Sequence, residues 1–428
     1  MGRLFQMKGG NMLLRIALRN VFRHKTRTLI SVFTISVGIM VYIAFDSLFN
    51  GIDRTLIESI VKFSDSSIVI YSKDYDENRK GFPLDKGIKD VREVERVIRG
   101  VKDIEGFVYR TQFLGEVIFG GKSKYIVCTV IDPELDLKIF EIKDHIKGRY
   151  LQGDLEILIG SILAKKLGVS VGDWVTLAAR TAEGGYNALD FVIVGIIESP
   201  NALLNESGVM ISYSSANKLV NLKGMFTSVN VKVRWNKTES VPLYLNKIDM
   251  VASKIRENLE NYSVYTVKDL YGDFLLLMDQ KRVTSYLLTF LILIIAGVGI
   301  ANNILMAVYE RIKEIGVLMA MGMKEKDIRK LFLIEGATIG ILGGILGVFL
   351  GLLLDLFFIY IGYDVTSMFG DIDPSELGMP VWTTFYGEWN FMAFLIGFVF
   401  SLFISIIFAY IPSRYASKLK VVECLKFV

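Results

Sequence analysis

Residues 283–309 read VTSYLLTFLILIIAGVGIANNILMAVY and contain no charged side chain. A helix needs about 20 mostly apolar residues to cross the hydrocarbon core of a bilayer. Charged pairs bracket the run, with Lys281 and Arg282 before it and Glu310 and Arg311 after it. The segment therefore predicts a transmembrane helix over 283–309.

Three further apolar stretches are long enough to span a bilayer, and they lie at 28–49, 336–363 and 391–411. The first is longer than the core of a typical signal peptide, and no small-x-small cleavage site follows it, so we interpret it as a retained span. Asp46 and Asp355 fall near the ends of two of these stretches. We expect both to be solvated groups at the outer membrane boundary.

The distribution of Lys and Arg predicts the orientation of the spans. Residues 1–27 carry seven basic and no acidic side chains, and the loop 310–335 and the tail 412–428 also carry a basic excess. The segment 356–390 carries five acidic side chains and no basic one. Because cytoplasmic loops are enriched in Lys and Arg, both termini and the loop 310–335 are predicted to be cytoplasmic. Residues 50–282 and 356–390 are then placed outside the cytoplasm.

Composition excludes several classes of function. The chain of 428 residues is 52% hydrophobic, which argues against an ordinary soluble enzyme. Its two cysteines and two histidines are too few for a disulfide framework or a multi-histidine metal site. The sequence GEVIFGGKS (115–123) resembles a phosphate-binding loop, but its glycine spacing is wrong and a strand rather than a helix follows it. We predict no catalytic, cofactor-binding or metal-binding residues and no nucleic-acid partner.

The large segment 50–282 mixes strand-like and helix-like patterns. Alternating or β-branched runs predict strands at 66–72, 115–121, 124–131, 173–179, 190–197 and 228–235. Helical periodicity predicts helices at 89–99, 161–167, 213–221 and 243–260. The fold class is therefore an α-helical membrane protein with four transmembrane helices and a large α+β extracytoplasmic domain inserted between helices 1 and 2. We expect two subdomains in this domain and a helix that continues from it into the second span.

The cytoplasmic edges carry two amphipathic patterns. In 11–27, apolar residues recur at helical spacing with Arg15, Arg19 and Arg23 on other faces, which fits a basic helix lying on the membrane or simply an anchor for the next span. In 310–335, one amphipathic helix is predicted to break near Gly322, and a second leads into the third span. This loop is either a partner-docking surface or a helical hairpin packed on its own membrane domain.

The third span carries two rows of glycines at four-residue spacing. Small residues in such rows allow helix backbones to approach closely in lipid. We expect this span to pack tightly against other helices, within one bundle or across to a second subunit. Asn302 and Asn303 lie inside the second span, where interhelical hydrogen bonding is favoured over a transport site. The rows consist of Gly336, Gly340 and Gly344, and of Gly343, Gly347 and Gly351.

These stretches resemble the FtsX-like permease family of ABC transporters, the MacB-type or type VII permeases. The most specific resemblance is ERIKEIGVLMAMGMKEKDIRKLFLIEG (310–336); IALRNVFRHKTRTLISVFTISVGI (16–39) and IPSRYASKLKVVECL (411–425) also match the family pattern. ILIGSILAKKLGVSVGDWVTL and FVIVGII resemble the MacB-like periplasmic core domain. Asn50-Gly51 and VIDPE (130–134) are closest to the lipoprotein-releasing LolC/LolE-type permeases.

The resemblance implies a function and partners. The chain would be a permease subunit that couples ATP hydrolysis by a separate ATPase subunit, present in two copies, to conformational work outside the membrane. That work would be lipoprotein release or extrusion of a lipophilic substrate; the alternative is FtsX-like signalling that activates an extracytoplasmic enzyme such as a cell-wall hydrolase. A second permease chain, identical or paralogous, would complete a dimer in the cell (inner) membrane, in contact with membrane lipid. The chain itself would not be an enzyme.

The resemblance also implies a docking element for the ATPase, a short coupling helix in the cytoplasmic loop. Its predicted contact residues are Arg311, Glu314, Ile315, Gly316, Met319 and Gly322. The predicted organisation is a basic amphipathic N-terminal helix (1–27), helix 1 (28–49), the extracytoplasmic domain (50–282), helix 2 (283–309), the coupling loop (310–335), helix 3 (336–363), an outer loop (364–390), helix 4 (391–411) and a cytoplasmic tail (412–428).

Overall fold

The structure is a computed structural model that describes residues 2–23, 25–236, 238–364, 384–421 and 424. It divides into two compact units. The first comprises Met1–Ile52, Met278–Tyr363 and Phe385–Val428, and the second comprises Asp53–Leu277 and Asp364–Thr384. The first unit contains long helices, and the second contains most of the strands.

The helices, in chain order, are α1 (Gly2–Arg23), α2 (Lys25–Phe63), α3 (Lys73–Glu77), α4 (Val91–Gly100), α5 (Pro133–Asp136), α6 (Ser161–Leu167), α7 (Ala202–Ser207), α8 (Tyr213–Val220), α9 (Val241–Asn258), α10 (Val267–Leu270), α11 (Gly272–Glu310), α12 (Ile312–Ala320), α13 (Glu325–Tyr360) and α14 (Phe391–Ser417). Short 3-10 turns form at Arg79–Gly81 and Lys143–His145. The strands are β1 (Ile68–Ser72), β2 (Ile104–Phe119), β3 (Lys122–Ile131), β4 (Ile146–Gly148), β5 (Glu156–Gly160), β6 (Trp174–Arg180), β7 (Tyr186–Ile197), β8 (Gly208–Ser212), β9 (Ser228–Val233), β10 (Tyr262–Thr266), β11 (Tyr363–Asp364) and β12 (Thr384–Phe385).

Four helices in the described part of the chain are long and apolar enough to cross a membrane: Lys25–Phe63, Tyr286–Glu310, Glu325–Tyr360 and Phe391–Ser417. The large α+β unit is inserted in the sequence between the first and second of them. The predicted fold class is therefore confirmed. The predicted continuous helix leading into the second span is also confirmed, because α11 runs from Gly272 to Glu310.

The two glycine rows of α13 pack on two different helices of the same unit. Gly340 faces Ser405 of α14, where an added Cβ would lie 2.6 Å from the serine hydroxyl. Gly347 faces α2, where an added Cβ would lie 2.8 Å from the Ile39 Cβ. These distances are shorter than van der Waals contact, so only glycine allows α13 to approach both neighbours this closely. The residues that face these rows are Ile35, Ser36, Ile39 and Ile43 of α2, Phe398, Ser401, Ser405 and Ala409 of α14, and, beside Gly336, Ile304 of α11.

The predictions made for the polar residues of the spans are only partly confirmed. Asn303 donates hydrogen bonds from its amide to the carbonyl of Arg27, at 3.0 Å, and to the hydroxyl of Ser31. This interhelical bonding between α11 and α2 confirms the prediction for Asn303, whereas Asn302 is exposed. The expectation that Asp355 is solvated is wrong, because its side chain is 1% exposed and packed between helices.

The sheet of the second unit has two parts that share β2. The first half of this strand pairs with β9, and β9 continues through β1 to β10. The second half pairs with β3 and with β6. From β3 the pairing runs through β8, β5 and β7 and returns through β6 to β2, which closes a ring of six strands.

Each part of the sheet has its own hydrophobic core, as expected for two subdomains. The ring encloses a cluster that includes Phe113, Phe191 and Ile211. Helices α4 and α9 cover the other part, where Val231, Ile248 and Ile255 belong to a second cluster. The predicted helices and strands of this unit each overlap an observed element. The strand predicted at 115–121 covers only the end of β2, so residues 104–114 of β2 were missed, as were β4, β5, β8 and β10.

The stretch GEVIFGGKS is a β-hairpin. Phe119 of β2 pairs with Lys122 of β3, and the two residues between them, Gly120 and Gly121, have φ values of 54° and 79°. Two consecutive left-handed residues fit the tight turns that connect antiparallel strands. The strand predicted after the glycines is confirmed, and no helix N-terminus follows them.

Candidate functional site

The candidate site is built around α12, a short helix between α11 and α13. The chain leaves α11 at Arg311, whose φ and ψ of −117° and 18° are not helical. It leaves α12 through Gly322, whose φ of +95° favours glycine. The backbone N–H of Gly322 donates to Met319 O at 2.9 Å, and that of Met323 donates to Leu318 O at 3.0 Å. This pair of bonds is the Schellman arrangement that ends a helix, so the predicted break near Gly322 is confirmed.

One face of α12 is buried against the membrane helices. Ile312 and Ile315 are 3% and 2% exposed, and Gly316 is also buried. Ile315 belongs to the same apolar cluster as Ile328 and Phe332 of α13. Burial of such side chains contributes about 2 kcal/mol each, so α12 is held on α13 rather than extended into solvent.

A buried ion pair fixes the start of α12. The Arg311 guanidinium donates from Nε to Glu314 Oε2 at 3.0 Å and from Nη1 to Glu335 Oε1 at 3.1 Å. Asn20 of α1 also donates to Glu335 Oε1, at 2.7 Å. The side chains of Arg311 and Glu335 are only 9% and 6% exposed. These hydrogen bonds link α12 to both α1 and α13. Breaking the link is costly, because it would leave a buried charge without its partner.

Two more exposed ion pairs lie beside this network. Arg27 of α2 contacts Glu310 at 2.9 Å, and Arg23 of α1 lies 3.8 Å from Glu314. Exposed pairs of this kind contribute about 0–1 kcal/mol each. The position of α12 therefore depends mainly on its apolar face and on the Arg311–Glu335 pair.

The other face of α12 is exposed. Lys313, Val317 and Met321 follow one another at four-residue spacing on this face, and Val317 and Met321 are 47% and 72% exposed. Glu314 and Ala320 flank them and are also exposed. We call Lys313, Val317 and Met321 the exposed strip. Its apolar part, with a flexible methionine at the end, is a surface suited to contact with a protein partner.

The six residues predicted for the coupling helix fall into two sets. Glu314 and Gly322 are exposed. Arg311, Ile315 and Gly316 are buried, and Met319 is half-buried against the apolar cluster. The second set holds the helix in place, and the exposed strip contains residues that sequence reasoning did not single out.

Sequence reasoning also missed Asn20 as a partner of Glu335. Asn20 lies on the face of α1 that is otherwise apolar, next to Ala17 and Val21, which are 0% and 4% exposed. A polar residue on a buried helix face requires a hydrogen-bond partner, and this was the available signal. Arg15, Arg19 and Arg23 are exposed on α1, as are Leu14 and Phe22.

The second unit has a separate feature, a cleft of about 790 Å³ on the outer face of the strand ring. Leu114, Tyr125 and Tyr186 line it and are 50%, 84% and 85% exposed. Phe82, at its edge, has a φ of +48°, an uncommon value for a non-glycine residue. The cleft therefore presents aromatic side chains that no described part of this chain covers.

The sequence matches two family descriptions. Residues 28–249 match the MacB-like periplasmic core domain, and residues 286–421 match the FtsX-like permease C-terminal domain. The chain belongs to the FtsX-like family of ABC permeases. The predicted family is thus confirmed, and the permease domain includes α12 and its buried ion pair.

Three relatives illustrate the range of this family. The uncharacterized ABC transporter permease MJ1507 of Methanocaldococcus jannaschii is 22% identical over 97% of each chain. The lipoprotein-releasing system transmembrane protein LolC of Buchnera aphidicola is 24% identical over 82% of this chain and 84% of its own length. The macrolide export ATP-binding/permease protein MacB of Pasteurella multocida is 26% identical over 96% of this chain. The match spans only 59% of that MacB.

Proposed function

We propose that this permease works with a separate cytoplasmic ATPase, which docks on the exposed strip of α12. The observation that carries the proposal is the division of α12 into an anchored face and an open face. Ile312 and Ile315 are buried, while Val317 and Met321 are exposed on the opposite side. A partner pressing on this open face meets a helix that is fixed to the membrane helices beneath it.

The buried ion pair supports a role in transmitting movement. Arg311 joins α12 to Glu335 of α13, and Asn20 joins the same carboxylate to α1. Separating buried, hydrogen-bonded charges is costly, so α12, α13 and α1 move together when the ATPase closes on nucleotide. The long helices α2 and α11 would carry this movement beyond the membrane. Such coupling requires that the nucleotide-bound ATPase contact the two states of the permease differently.

The charge distribution supports an orientation in the cell (inner) membrane. The basic N-terminal residues 1–27, the loop around α12 and the basic tail would face the cytoplasm. The second unit would be extracytoplasmic, and two permease chains would assemble with two ATPase subunits. We propose the same orientation for the segments predicted from the sequence: 1–27, 310–335 and 412–428 in the cytoplasm, and 50–282 and 364–390 outside it.

The aromatic cleft supports handling of a lipophilic cargo by the extracytoplasmic unit. Tyr125 and Tyr186 offer flat aromatic rings and Leu114 an aliphatic side chain, and Glu116 and Asp85 add carboxylates at the same cleft. Exposed apolar surface of this kind is typical of binding sites. A lipoprotein or another amphiphile is the cargo that we propose, in line with the lipoprotein release and macrolide export for which LolC and MacB are named.

A matched pair of substitutions tests the docking site. Val317→Asp places a charge on the exposed strip, and Val171→Asp does the same at an equally exposed valine of the second unit; the two valines are 47% and 46% exposed. We expect the wild-type chain and the Val171→Asp variant to co-purify with a nucleotide-binding subunit in mild detergent. The Val317→Asp variant should lose it while keeping the wild-type thermal stability.

Recovery of the same amount of ATPase with Val317→Asp would contradict docking on this strip. Partners of the extracytoplasmic unit, identified in the same samples by mass spectrometry, test the second part of the proposal. A lipoprotein or its carrier supports release or extrusion. A cell-wall hydrolase would instead support the signalling function.

A further inference from the structure

The contact between α2 and α13 ends in a buried Ser–Asp pair. Along α13, Gly343, Gly347 and Gly351 face Ile35, Ile39 and Ile43 of α2, respectively. Both rows advance by four residues, and the next residue of each row is Asp355 on α13 and Ser47 on α2. The carboxyl group therefore occupies the next position of a seam in which glycines bring the two backbones into close contact.

Asp355 is buried and incompletely hydrogen-bonded. Its side chain is 1% exposed, and Ser47 is 2% exposed. The Ser47 hydroxyl is hydrogen-bonded to Asp355 Oδ1, and the other oxygen, Oδ2, is buried with no hydrogen-bond partner among the described residues. No described Lys or Arg side chain forms an ion pair with it. A carboxylate in such a place has lost its hydration without gaining a counter-charge.

The neighbouring charged groups are acidic rather than basic. Asp46 precedes Ser47 in α2, and it accepts hydrogen bonds from Asn50 at 2.9 Å and from Asn390 at 2.7 Å. Glu388 lies in the segment before α14, where its backbone N–H donates to Ser47 O at 3.1 Å. The amide donors satisfy Asp46 as an anion, whereas Asp355 has only the serine hydroxyl, which can act as donor or acceptor. A negative charge on Asp355 would thus lie close to the negative charge of Asp46.

We propose that Asp355 is a proton-binding site, and that the proton keeps this end of the α2–α13 seam closed. As a neutral acid, Asp355 needs only the hydrogen bond with Ser47 and fits the tight packing beside Gly351. As a carboxylate it requires water or a cation, which would have to enter between the two closely packed helices. Ionisable groups inside membrane proteins are costly, and they commonly mark proton relays or ion pathways. Release of the proton would therefore loosen the contact between Ser47 and Asp355.

Thermal unfolding of the purified full-length chain in lipid nanodiscs tests this proposal. Between pH 5.5 and pH 8.5, the Tm of the wild-type chain should fall by about 1–2 °C, because the proton is lost more readily from the unfolded chain than from the buried site. Asp355→Asn replaces the acid by a neutral group of the same shape and should remove most of this dependence. Glu325→Gln is the matched control, since it neutralises an exposed acid in the first turn of the same helix and should keep the wild-type dependence.

Equal pH dependence in the wild-type chain and Asp355→Asn would overturn the proposal. A rise in wild-type Tm on adding sodium chloride at pH 8.5, absent with choline chloride and absent in Asp355→Asn, would overturn it in favour of a cation site. If Asp355→Asn does not fold, infrared spectroscopy of the wild-type chain at pH 5.5 decides. A protonated-carboxyl band that shifts in D₂O, and shifts again in Ser47→Ala, supports the site. Absence of the band contradicts it.

Discussion

The glycine row that faces α2 provides the most quantitative prediction. In Gly347→Leu, the new Cβ would lie 2.8 Å from the Ile39 Cβ and 3.0 Å from both the Cα and the carbonyl oxygen of Ser36. Two of these contacts are with backbone atoms, and the third is with a Cβ that cannot swing away. Helix α2 would have to retreat by at least about half an ångström to restore normal contact distances.

The change in the free energy of unfolding of Gly347→Leu is the balance of two opposing effects. Overpacking of a close-packed interior typically costs about 1–3 kcal/mol, and a leucine adds further atoms beyond its Cβ. Replacing glycine within a helix returns about 0.8 kcal/mol of helix propensity. We therefore expect net destabilisation of about 1–2 kcal/mol, together with loss of packing between α2 and α13.

Gly299→Leu is the matched control. Gly299 also lies within a membrane-spanning helix, α11, but an added Cβ there meets no described atom within 4 Å. Thermal unfolding in nanodiscs should therefore give a Tm several degrees lower for Gly347→Leu and an unchanged or higher Tm for Gly299→Leu. Equal Tm values for the two variants would refute the inference that the glycine row is a close-packing seam.

Two further predictions concern the ion pairs. Arg311→Gln should lower the stability of the chain by about 3 kcal/mol, because it leaves the Glu335 carboxylate buried without its cation. It should also weaken coupling to ATP hydrolysis. An unchanged Tm would contradict the structural role of the pair. In the second unit, Arg149 donates from Nη1 to Glu156 Oε2 at 2.9 Å. This hydrogen bonding, aided by the backbone N–H groups of Gln152 and Gly153, lowers the pKa of Glu156 to about 2 despite burial. The stability that this carboxylate contributes is complete above its ordinary pKa and is lost as the pH falls through about 2. The Tm difference between the wild-type chain and Glu156→Gln should therefore be largest near neutral pH and should shrink in acid. A Tm difference that does not change with pH would contradict this prediction.

The membrane helices could be predicted because charge-free runs of about 20 apolar residues are typical of membrane spans and rare in soluble domains. The break of α12 was also predictable, since Gly322 follows an amphipathic pattern and supplies the left-handed residue that ends the helix. The missed strands β5 and β8 are short apolar runs, EILIG and GVMIS, and periodicity alone cannot distinguish such runs from buried helical segments.

The functional surface was harder to predict than the fold. The hydrogen bond from Asn20 to Glu335 joins residues 315 positions apart, and no local pattern encodes such a distance. The family pattern pointed to Arg311, Ile315 and Gly316, but the structure buries all three. Asp355 was misinterpreted because an acidic residue near the end of an apolar run usually marks the membrane boundary. Only the packing of α2 on α13 shows that it is buried.

Photo-crosslinking from the exposed strip is the most direct test of the central claim that α12 receives an ATPase. A photoreactive amino acid in place of Met321, which is 72% exposed, should crosslink the full-length chain to a nucleotide-binding subunit in its native membrane. The same amino acid at the exposed Val171 should not do so. Absence of any nucleotide-binding protein from the Met321 crosslink, with or without a non-hydrolysable ATP analogue, would contradict the account.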